Sequence, residues 1–267
     1  MTDDVVALRL DDVGSASKRH EVYGVTRIRL GRLAVPFPGN LLFLKYVPPI
    51  KRWGPYRELT VADWQAVLAM LAEVGARLTI AVTAGWVERD GRITPFTSKF
   101  PAEARALREG VDAGLLEVAN HGYTHCVIED GLFRPRLFSG NRPYHREFYD
   151  WLPEAAHREH LKRAQDILGS WLGAAPRTLV PPGNIFSAKT VSAAAELGIR
   201  YISCLAAPRE PADGIVFVDD SHVRAFHDRD IALGGPAHLG RLLESQPGAR
   251  FVTVAELGQA QESHRAR

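Results

Sequence analysis

Hydrophobic positions along the chain alternate between short apolar runs and stretches with helical spacing. The first apolar run, 5–10, predicts a strand, and the first helical stretch, 60–74, lies between a Thr60 N-cap and Gly75. Because strands and helices alternate, the pattern indicates a mostly parallel α/β sheet or barrel. Further strands are predicted at 77–87, 115–120, 178–180, 200–204, 215–218, 223–226 and 250–254, and further helices at 101–111, 154–172, 188–197 and 237–245, followed by a helical or frayed tail at 255–267.

Two long polar and aromatic segments interrupt this alternation, 15–58 and 127–152. Connections of this length inside a compact domain are usually functional or carry small elements of their own. The chain shows neither an internal repeat nor a low-complexity stretch. We therefore predict a single domain over 1–267 that carries two insertions.

The composition excludes several classes of protein. A hydrophobic content of 46% and a charged content of 24% are typical of a globular protein with a buried core. A net charge of +2 is too balanced for a nucleic-acid binder, and two cysteines exclude a disulfide scaffold or a Cys₄ zinc module. The N-terminus lacks the pattern of a secretory leader, and prolines interrupt the apolar region 30–50. We expect a cytoplasmic protein without a transmembrane segment, whose oligomeric state the sequence leaves open.

Polar residues that could bind a metal or take part in catalysis follow the ends of the predicted strands. In α/β barrels this is the face on which active sites are assembled. A helical turn after the strand at 115–120 would place two imidazoles on one face. Two histidines and an aspartate with one open position form the ligand type of a catalytic zinc site. Each motif alone also has a purely structural interpretation, as a turn, a helix cap or a polar loop. The residues concerned are Asp11 and Asp12, His121 and His125, Pro181 to Asn184, and His227.

The order of these motifs is more specific than any one of them. Asp-Asp-x-Gly, Asn-His-x-x-x-His, Pro-Pro-Gly-Asn and Phe-His-Asp follow one another along the chain. From Leu8 to about Leu257 the sequence resembles the polysaccharide deacetylases, the NodB-homology proteins of carbohydrate esterase family 4. The resemblance implies a distorted (β/α) barrel and a hydrolase that removes an acetyl group from an N-acetylated or O-acetylated sugar of a polysaccharide or glycan precursor. The variant motifs are similar to a divergent branch, some of whose members accompany lipopolysaccharide O-antigen or other surface-glycan biosynthesis.

The same resemblance implies roles for individual residues. It assigns Asp11 as the general base and His227 as the general acid of the reaction. The metal would be a divalent ion, zinc as the first expectation and cobalt, nickel or manganese as alternatives. Its ligands would be Asp12, His121 and His125, and the substrate would contact Pro182, Gly183, Asn184 and the aromatic face of Trp53.

The sequence departs from the family at the third motif, where the arginine that normally precedes the prolines is Val180. The base Asp11 then needs another orienting partner, for which Arg9, Lys18 and Arg224 are candidates. The fourth motif is reduced to a trace at 219–220. These changes leave two alternatives open, a metal-dependent amidohydrolase acting on a non-sugar amide, and a non-catalytic relative that binds a glycan or a protein.

Overall fold

The computed structural model of the chain describes residues 5–41, 43–129, 132, 146–205 and 214–265. Much of the predicted insertion at 127–152 therefore lies outside the described residues. The strands are β1 (Val5–Val13), β2 (Tyr23–Gly24), β3 (Arg27–Leu30), β4 (Leu33–Pro36), β5 (Lys51–Trp53), β6 (Leu78–Val82), β7 (Gly85–Val87), β8 (Ile93–Pro95), β9 (Leu116–Asn120), β10 (Thr178–Leu179), β11 (Tyr201–Ile202), β12 (Val216–Phe217), β13 (Val223–His227) and β14 (Arg250–Val252). The helices are α1 (Val61–Val74), α2 (Phe96–Lys99), α3 (Pro101–Asp112), α4 (Glu154–Leu172), α5 (Ala188–Glu196), α6 (Asp228–Gly234), α7 (Ala237–Glu244) and α8 (Val254–Arg265).

The central sheet is parallel and curled. Within the described ranges its order is β12-β11-β10-β9-β6-β1-β13, and β14 pairs with the first residues of β1. Helices lie in the connections from β1 to β6, β6 to β9, β9 to β10 and β10 to β11, as parallel pairing of these neighbours requires. This architecture confirms the predicted distorted (β/α) barrel. Among the helices of the described ranges, none has the length and apolar character needed to cross a membrane.

Local capping chemistry explains why α1 begins and ends where the sequence predicts. The hydroxyl of Thr60 accepts from the backbone N–H of Asp63, and the Asp63 carboxylate accepts from the Thr60 N–H, forming a capping box. Gly75 ends the helix in the left-handed region with φ 63°. Trp64 and Leu71 are fully buried in the main core cluster, which fixes the helix against the sheet.

The strand predicted at 77–87 is wrong in one respect, because the chain leaves the central sheet after β6. The N–H of Thr83 donates to the carbonyl of Val13 and the N–H of Ala84 donates to that of Gly122. The chain then turns into β7, which pairs with β8 in an antiparallel hairpin. Periodicity cannot locate this break, since β6 and β7 are both fully buried and equally apolar.

The 15–58 segment is held to the barrel by a buried ion network. The ammonium group of Lys18 contacts the carboxylates of Glu58 and Asp228, and the Tyr56 hydroxyl donates to Asp228 Oδ1 at 2.9 Å. Burial alone would lower the pKa of Lys18, but the charges of Asp228 and Glu58 raise it above its ordinary value. The network joins the insertion to the residue that follows β13, next to the carboxyl ends of the strands.

Candidate metal centre and its cleft

Three potential metal ligands converge at the carboxyl ends of β1 and β9. One ligand atom from each of Asp12, His121 and His125 lies within 4.8 Å of the others. The Asp12 Oδ1 is 3.3 Å from Nε2 of His121 and 3.1 Å from Nε2 of His125. Two imidazole nitrogens and a carboxylate oxygen around one point are a donor set suited to a divalent transition metal.

The protonation state of these side chains suits metal binding. The Nδ1 of His121 lies 2.6 Å from the carbonyl oxygen of Val180. A carbonyl can only accept, so Nδ1 carries a proton, and Nε2 faces Asp12 either as a donor in the protonated ring or as a lone pair once that proton has left. Burial opposes ionisation of Asp12, but hydrogen bonds from His121 and His125 outweigh it and hold the pKa of Asp12 well below its usual range. Asp12 is therefore an anion that faces Nε2 of His121. The carbonyl of Val180, by binding Nδ1, fixes Nε2 as the nitrogen available to a metal.

The loop that carries the two histidines is not the helical turn expected from their spacing. Gly122 adopts φ 79° and His125 φ 64°, both in the left-handed region. The buried Glu147 holds this loop from behind, since its carboxylate accepts from the backbone N–H of Tyr123 at 3.0 Å and from that of His125 at 3.0 Å. A carboxylate bound to consecutive N–H groups replaces the hydrogen bonds a helix would have supplied.

Asp11 is oriented by Arg9, one of the three candidate partners. The guanidinium Nε and Nη2 of Arg9 each lie 2.9 Å from a different oxygen of the Asp11 carboxylate. The other two candidates point elsewhere, because Lys18 is bound in the ion network and Arg224 donates to the carbonyls of Ser221 and Val223. Arginine is thus present beside the aspartate, although it comes from β1 and not from the position of Val180.

His227 ends β13 directly beside Asp11 in the sheet register. Its Nδ1 accepts from Nη2 of Arg229 at 3.0 Å. Because Nδ1 accepts in this bond, the proton of the neutral ring lies on Nε2. The backbone N–H of His227 donates to Asp230 at 2.9 Å, which begins the unpredicted helix α6 and fixes the end of the strand.

These groups open into a cleft of about 670 Å³, a size suited to a small ligand or one sugar ring with its neighbours. Of the predicted substrate residues, Gly183, Asn184 and Trp53 line the cleft, whereas Pro182 is buried and does not line it. Trp53 stacks on Tyr23 with ring centroids 4.3 Å apart. The lining comprises Asp11, Asp12, Tyr23, Asn40, Arg52, Trp53, His121, His125, Arg146, Pro181, Gly183, Asn184, His227 and Arg229.

Several residues near the site were not foreseen in the sequence. Tyr23 and Asn40 come from the 15–58 insertion, which supplies one wall of the cleft. Burial and the charge of Asp12 raise the pKa of Glu21 to about 8. Burial also raises the pKa of the Cys126 thiol, which disfavours the reactive thiolate. In the sequence, only the length and the aromatic content of the 15–58 insertion indicated that it could contribute to the site.

Comparison with known proteins agrees with this fold. The polysaccharide deacetylase family model matches residues 54–202, more than half of the chain, and the protein belongs to that family. No curated protein matches the sequence significantly.

Two solved structures illustrate the likeness in fold. BA3943 of Bacillus anthracis, described as a CE4 family pseudoenzyme, is 14% identical with a TM-score of 0.50, and the match covers 96% of this chain and 66% of that one. The Bc1960 peptidoglycan N-acetylglucosamine deacetylase is 16% identical with a TM-score of 0.50, over 97% of this chain and 89% of that one. At these identities the comparison concerns the fold alone.

Proposed function

We propose that the protein is a metal-dependent hydrolase that removes an acetyl group from an N-acetylated or O-acetylated sugar of a polysaccharide or glycan precursor. The observation that carries the proposal is the convergence of Asp12, His121 and His125 beside an oriented carboxylate, Asp11, at the base of a cleft of about 670 Å³. A second polar side chain of suitable chemistry, His227, lies on the neighbouring strand.

The residues present fit a divalent ion. Asp12, His121 and His125 would hold it, with zinc as the first expectation and cobalt, nickel and manganese as alternatives. When bound, such an ion polarises an acetyl carbonyl and lowers the pKa of a water molecule toward about 7. The carbonyl of Val180 supports the site by fixing the His121 ring.

Asp11 would act as the general base. Its carboxylate is held by both arms of the Arg9 fork, so it presents a fixed oxygen to a water molecule attacking the acetyl carbon. A positioned base of this kind contributes roughly 10²–10⁴-fold to the rate.

His227 would act as the general acid for the leaving amine or alcohol. A histidine acts as a general acid only as the imidazolium, so Nδ1 must also carry a proton during the reaction, which requires its contact with Arg229 to open. The imidazolium would then give its Nε2 proton to the leaving group as the bond to the acetyl carbon breaks and become a neutral imidazole, while Asp11 holds the proton taken from water. Trp53 lines the same cleft, but its ring is stacked on Tyr23 and lies 4.8 Å from the Arg229 guanidinium, so a sugar would meet its edge.

Metal content and acetate release of the purified protein test the proposal together. We expect about one divalent ion per wild-type chain, lost in His121→Ala and Asp12→Ala. Asp11→Asn and His227→Ala should keep the metal and release acetate at least about a hundredfold more slowly. His222→Ala is the matched control, since this histidine is exposed in a turn before β13.

The outcomes separate the alternatives. Metal binding with turnover of small amides, and of no acetylated sugar, would favour the amidohydrolase. A chain that stays free of metal after reconstitution with zinc, cobalt and nickel contradicts the proposal and favours a binding protein. An O-antigen precursor as substrate and a cytoplasmic location remain predictions from the sequence.

A further inference from the structure

The cleft carries more positive charge than a neutral sugar would require. Three arginines line it from separate segments, Arg52 from β5, Arg146 from the residue before Glu147, and Arg229 from the first turn of α6. The two carboxylates in the lining are already engaged, Asp11 by Arg9 and Asp12 by the histidines.

Within the described residues, the three guanidinium groups have at most one long ion pair with a carboxylate, that of Arg229 with Asp230. Arg52 and Arg146 form no ion pair with any residue of the described ranges. The carboxylate nearest to Arg229 is that of Asp230, 3.9 Å from its Nε. Positive charges gathered in a concave site focus the field there and favour an anionic ligand.

Arg229 is already arranged for binding. Its guanidinium lies 4.8 Å from the centroid of the Trp53 ring and donates to His227 Nδ1 at 3.0 Å. A stacked guanidinium keeps its remaining N–H groups in one plane, the geometry that matches two oxygens of a carboxylate or phosphate. The arginine thus bridges the proposed acid His227 and Trp53, both of which line the cleft.

We propose that the substrate is an anionic sugar, carrying a carboxylate or phosphate close to its acetylated group, and that Arg229 and Arg146 bind this charge with Arg52 at the rim. The inference rests on the proposed function for the acetylated part of the ligand. The anion-binding part rests on the arginines alone.

Calorimetric binding to the metal-loaded protein tests this inference. The probes are N-acetylglucosamine, N-acetylglucosamine 1-phosphate and N-acetylglucosaminuronic acid, which share one acetamido group and differ in charge. We expect one of the two anionic sugars to bind about tenfold or more tightly than the neutral one, and the stronger of the two identifies phosphate or carboxylate as the preferred anion.

Arg146→Gln and Arg229→Gln should remove this preference, while Arg241→Gln on the exposed surface of α7 should keep it. Circular dichroism checks that each variant is folded. Equal affinity for neutral and anionic sugars, or no binding of either anionic sugar at millimolar concentration, overturns the inference. This experiment measures binding and not acetate release. A protein that binds anionic sugars but hydrolyses none would therefore contradict the proposed function and still support this inference.

A second, independent observation is the exposed apolar face of the β3–β4 hairpin. Ile28 pairs with Val35 and Leu30 with Leu33, so all four side chains share one face of the ribbon. Their exposed fractions are 39%, 40%, 65% and 72% respectively. Leu41 and Phe43 add further exposed apolar surface close by in the chain, at 59% and 56%. A contiguous apolar surface of this kind marks an interaction site.

Charge indicates the kind of partner. Residues 22–57 contain seven lysines and arginines and no aspartate or glutamate, although the whole chain has a net charge of only +2. Arg27 and Arg29 alternate with the apolar residues of β3, and Arg32 lies in the turn. Two copies of the chain meeting through this segment would bring like charges together. An anionic lipid surface offers both the apolar layer and the opposite charge.

We infer that the hairpin face formed by Ile28, Leu30, Leu33 and Val35 docks on an anionic membrane surface, with Arg32 of the turn at the headgroups and with Arg27 and Arg29, on the opposite face of the ribbon, within reach of the surface potential. Sedimentation with vesicles tests it, using phosphatidylcholine alone or mixed with phosphatidylglycerol. We expect binding to the mixed vesicles that falls with added salt.

The variant Leu30→Ser/Leu33→Ser should lose this binding, and Arg27→Gln/Arg29→Gln should weaken it. Val74→Ser at the end of α1, where the side chain is 54% exposed, is the matched control. Two results overturn the inference. One is the absence of wild-type protein from the phosphatidylglycerol pellet. The other is a dimer in light scattering that Leu30→Ser/Leu33→Ser converts to a monomer.

Discussion

The guanidinium of Arg9 and the carboxylate of Asp11 meet through two parallel hydrogen bonds, each 2.9 Å long, inside the barrel. The third arm of Arg9 donates to the Ser203 hydroxyl at 2.7 Å, after β11. Val180, at the place of the usual motif arginine, packs instead against two alanines of β6 and β9. The charge that orients Asp11 is therefore supplied from the same strand as the aspartate itself.

Replacing Arg9 should affect stability and turnover together. In Arg9→Met the buried Asp11 carboxylate loses its counter-charge, so we expect a loss of about 3–5 kcal/mol in the free energy of unfolding and a kcat at least about a hundredfold lower. Arg9→Lys keeps the positive charge but cannot form the two parallel hydrogen bonds, so its stability and its kcat should lie between those of wild type and Arg9→Met. Urea unfolding and acetate release measure the two effects, with the exposed Arg105→Met as control. An unchanged kcat in Arg9→Met would contradict this role.

Replacing Glu147 should weaken metal binding without touching a ligand. In Glu147→Gln one carboxylate oxygen becomes an amide donor facing the backbone N–H groups of Tyr123 or His125, which loosens the loop. We expect metal affinity, measured by chelator competition, to fall about 10–100-fold. Glu154→Gln, in an exposed pair at the start of α4, should leave affinity unchanged. Equal affinities for both variants would show that the loop holds its shape unaided.

Gly122 combines a left-handed backbone with a close contact. A Cβ at this position would lie 2.0 Å from Glu147 Oε2, whereas one at Gly91, with φ 84°, would meet nothing within 4 Å. We expect Gly91→Ala to lose about 1–2 kcal/mol from backbone strain alone. Gly122→Ala should lose more and should also bind metal weakly. Similar melting temperatures and metal contents in the two variants would refute the contact as the cause.

Lys18 should be essential for the stability of the whole chain. Lys18→Met leaves Asp228 and Glu58 buried without their shared cation, so we expect a loss of about 3–5 kcal/mol in the free energy of unfolding. Lys162→Met breaks an exposed pair on α4 and should change it by less than about 1 kcal/mol. Denaturant unfolding of both variants checks the difference, and equal small losses would speak against the network.

The pair formed by His160 and Glu147 should make stability depend on pH. Burial lowers the pKa of His160, but the hydrogen bond and the charge of Glu147 outweigh it and raise the pKa above 6.5, with Glu159 adding to this and Arg163 opposing it. A raised pKa means that the folded state binds the proton more tightly. The stabilisation is therefore complete below about pH 6.5 and is lost as pH rises through the pKa of the folded state.

The variant His160→Gln isolates this contribution. Its deficit in unfolding free energy relative to wild type should be larger at about pH 6 than at about pH 9. His222→Gln, at an exposed histidine, serves as the control. A deficit that stays constant across this range would exclude the protonated pair.

Local signals predicted the helices of this fold better than its strands. The bounds of α4 follow from an apolar stripe and a terminal Gly173, both visible in the sequence. The strands predicted at 200–204 and 215–218 shrink to two residues each in β11 and β12. Strand ends depend on pairing with neighbours far along the chain, which a single sequence does not contain.

Those site residues that belong to the ordered motifs could be predicted from the sequence. Residues that reach the site through contacts with distant parts of the chain could not. Motif order brought together Asp12, His121 and His125, which the structure places around one point. Glu147 reaches their loop from more than twenty residues away, and the three cleft arginines come from segments that only folding unites. Arg9 was one of three candidate partners of Asp11, and only the geometry distinguishes it from Lys18 and Arg224.

The position of Arg9 also changes how relatives of this protein can be found. A search that requires arginine before the paired prolines passes over a chain with valine there, even though the guanidinium is present. Arg-x-Asp-Asp at the end of a first apolar strand is a compact marker of the relocated charge. Chains that have Arg-x-Asp-Asp and an apolar residue before the prolines would form one subgroup, in which an arginine next to the aspartate can be tested. Relatives with an arginine at neither position would form another.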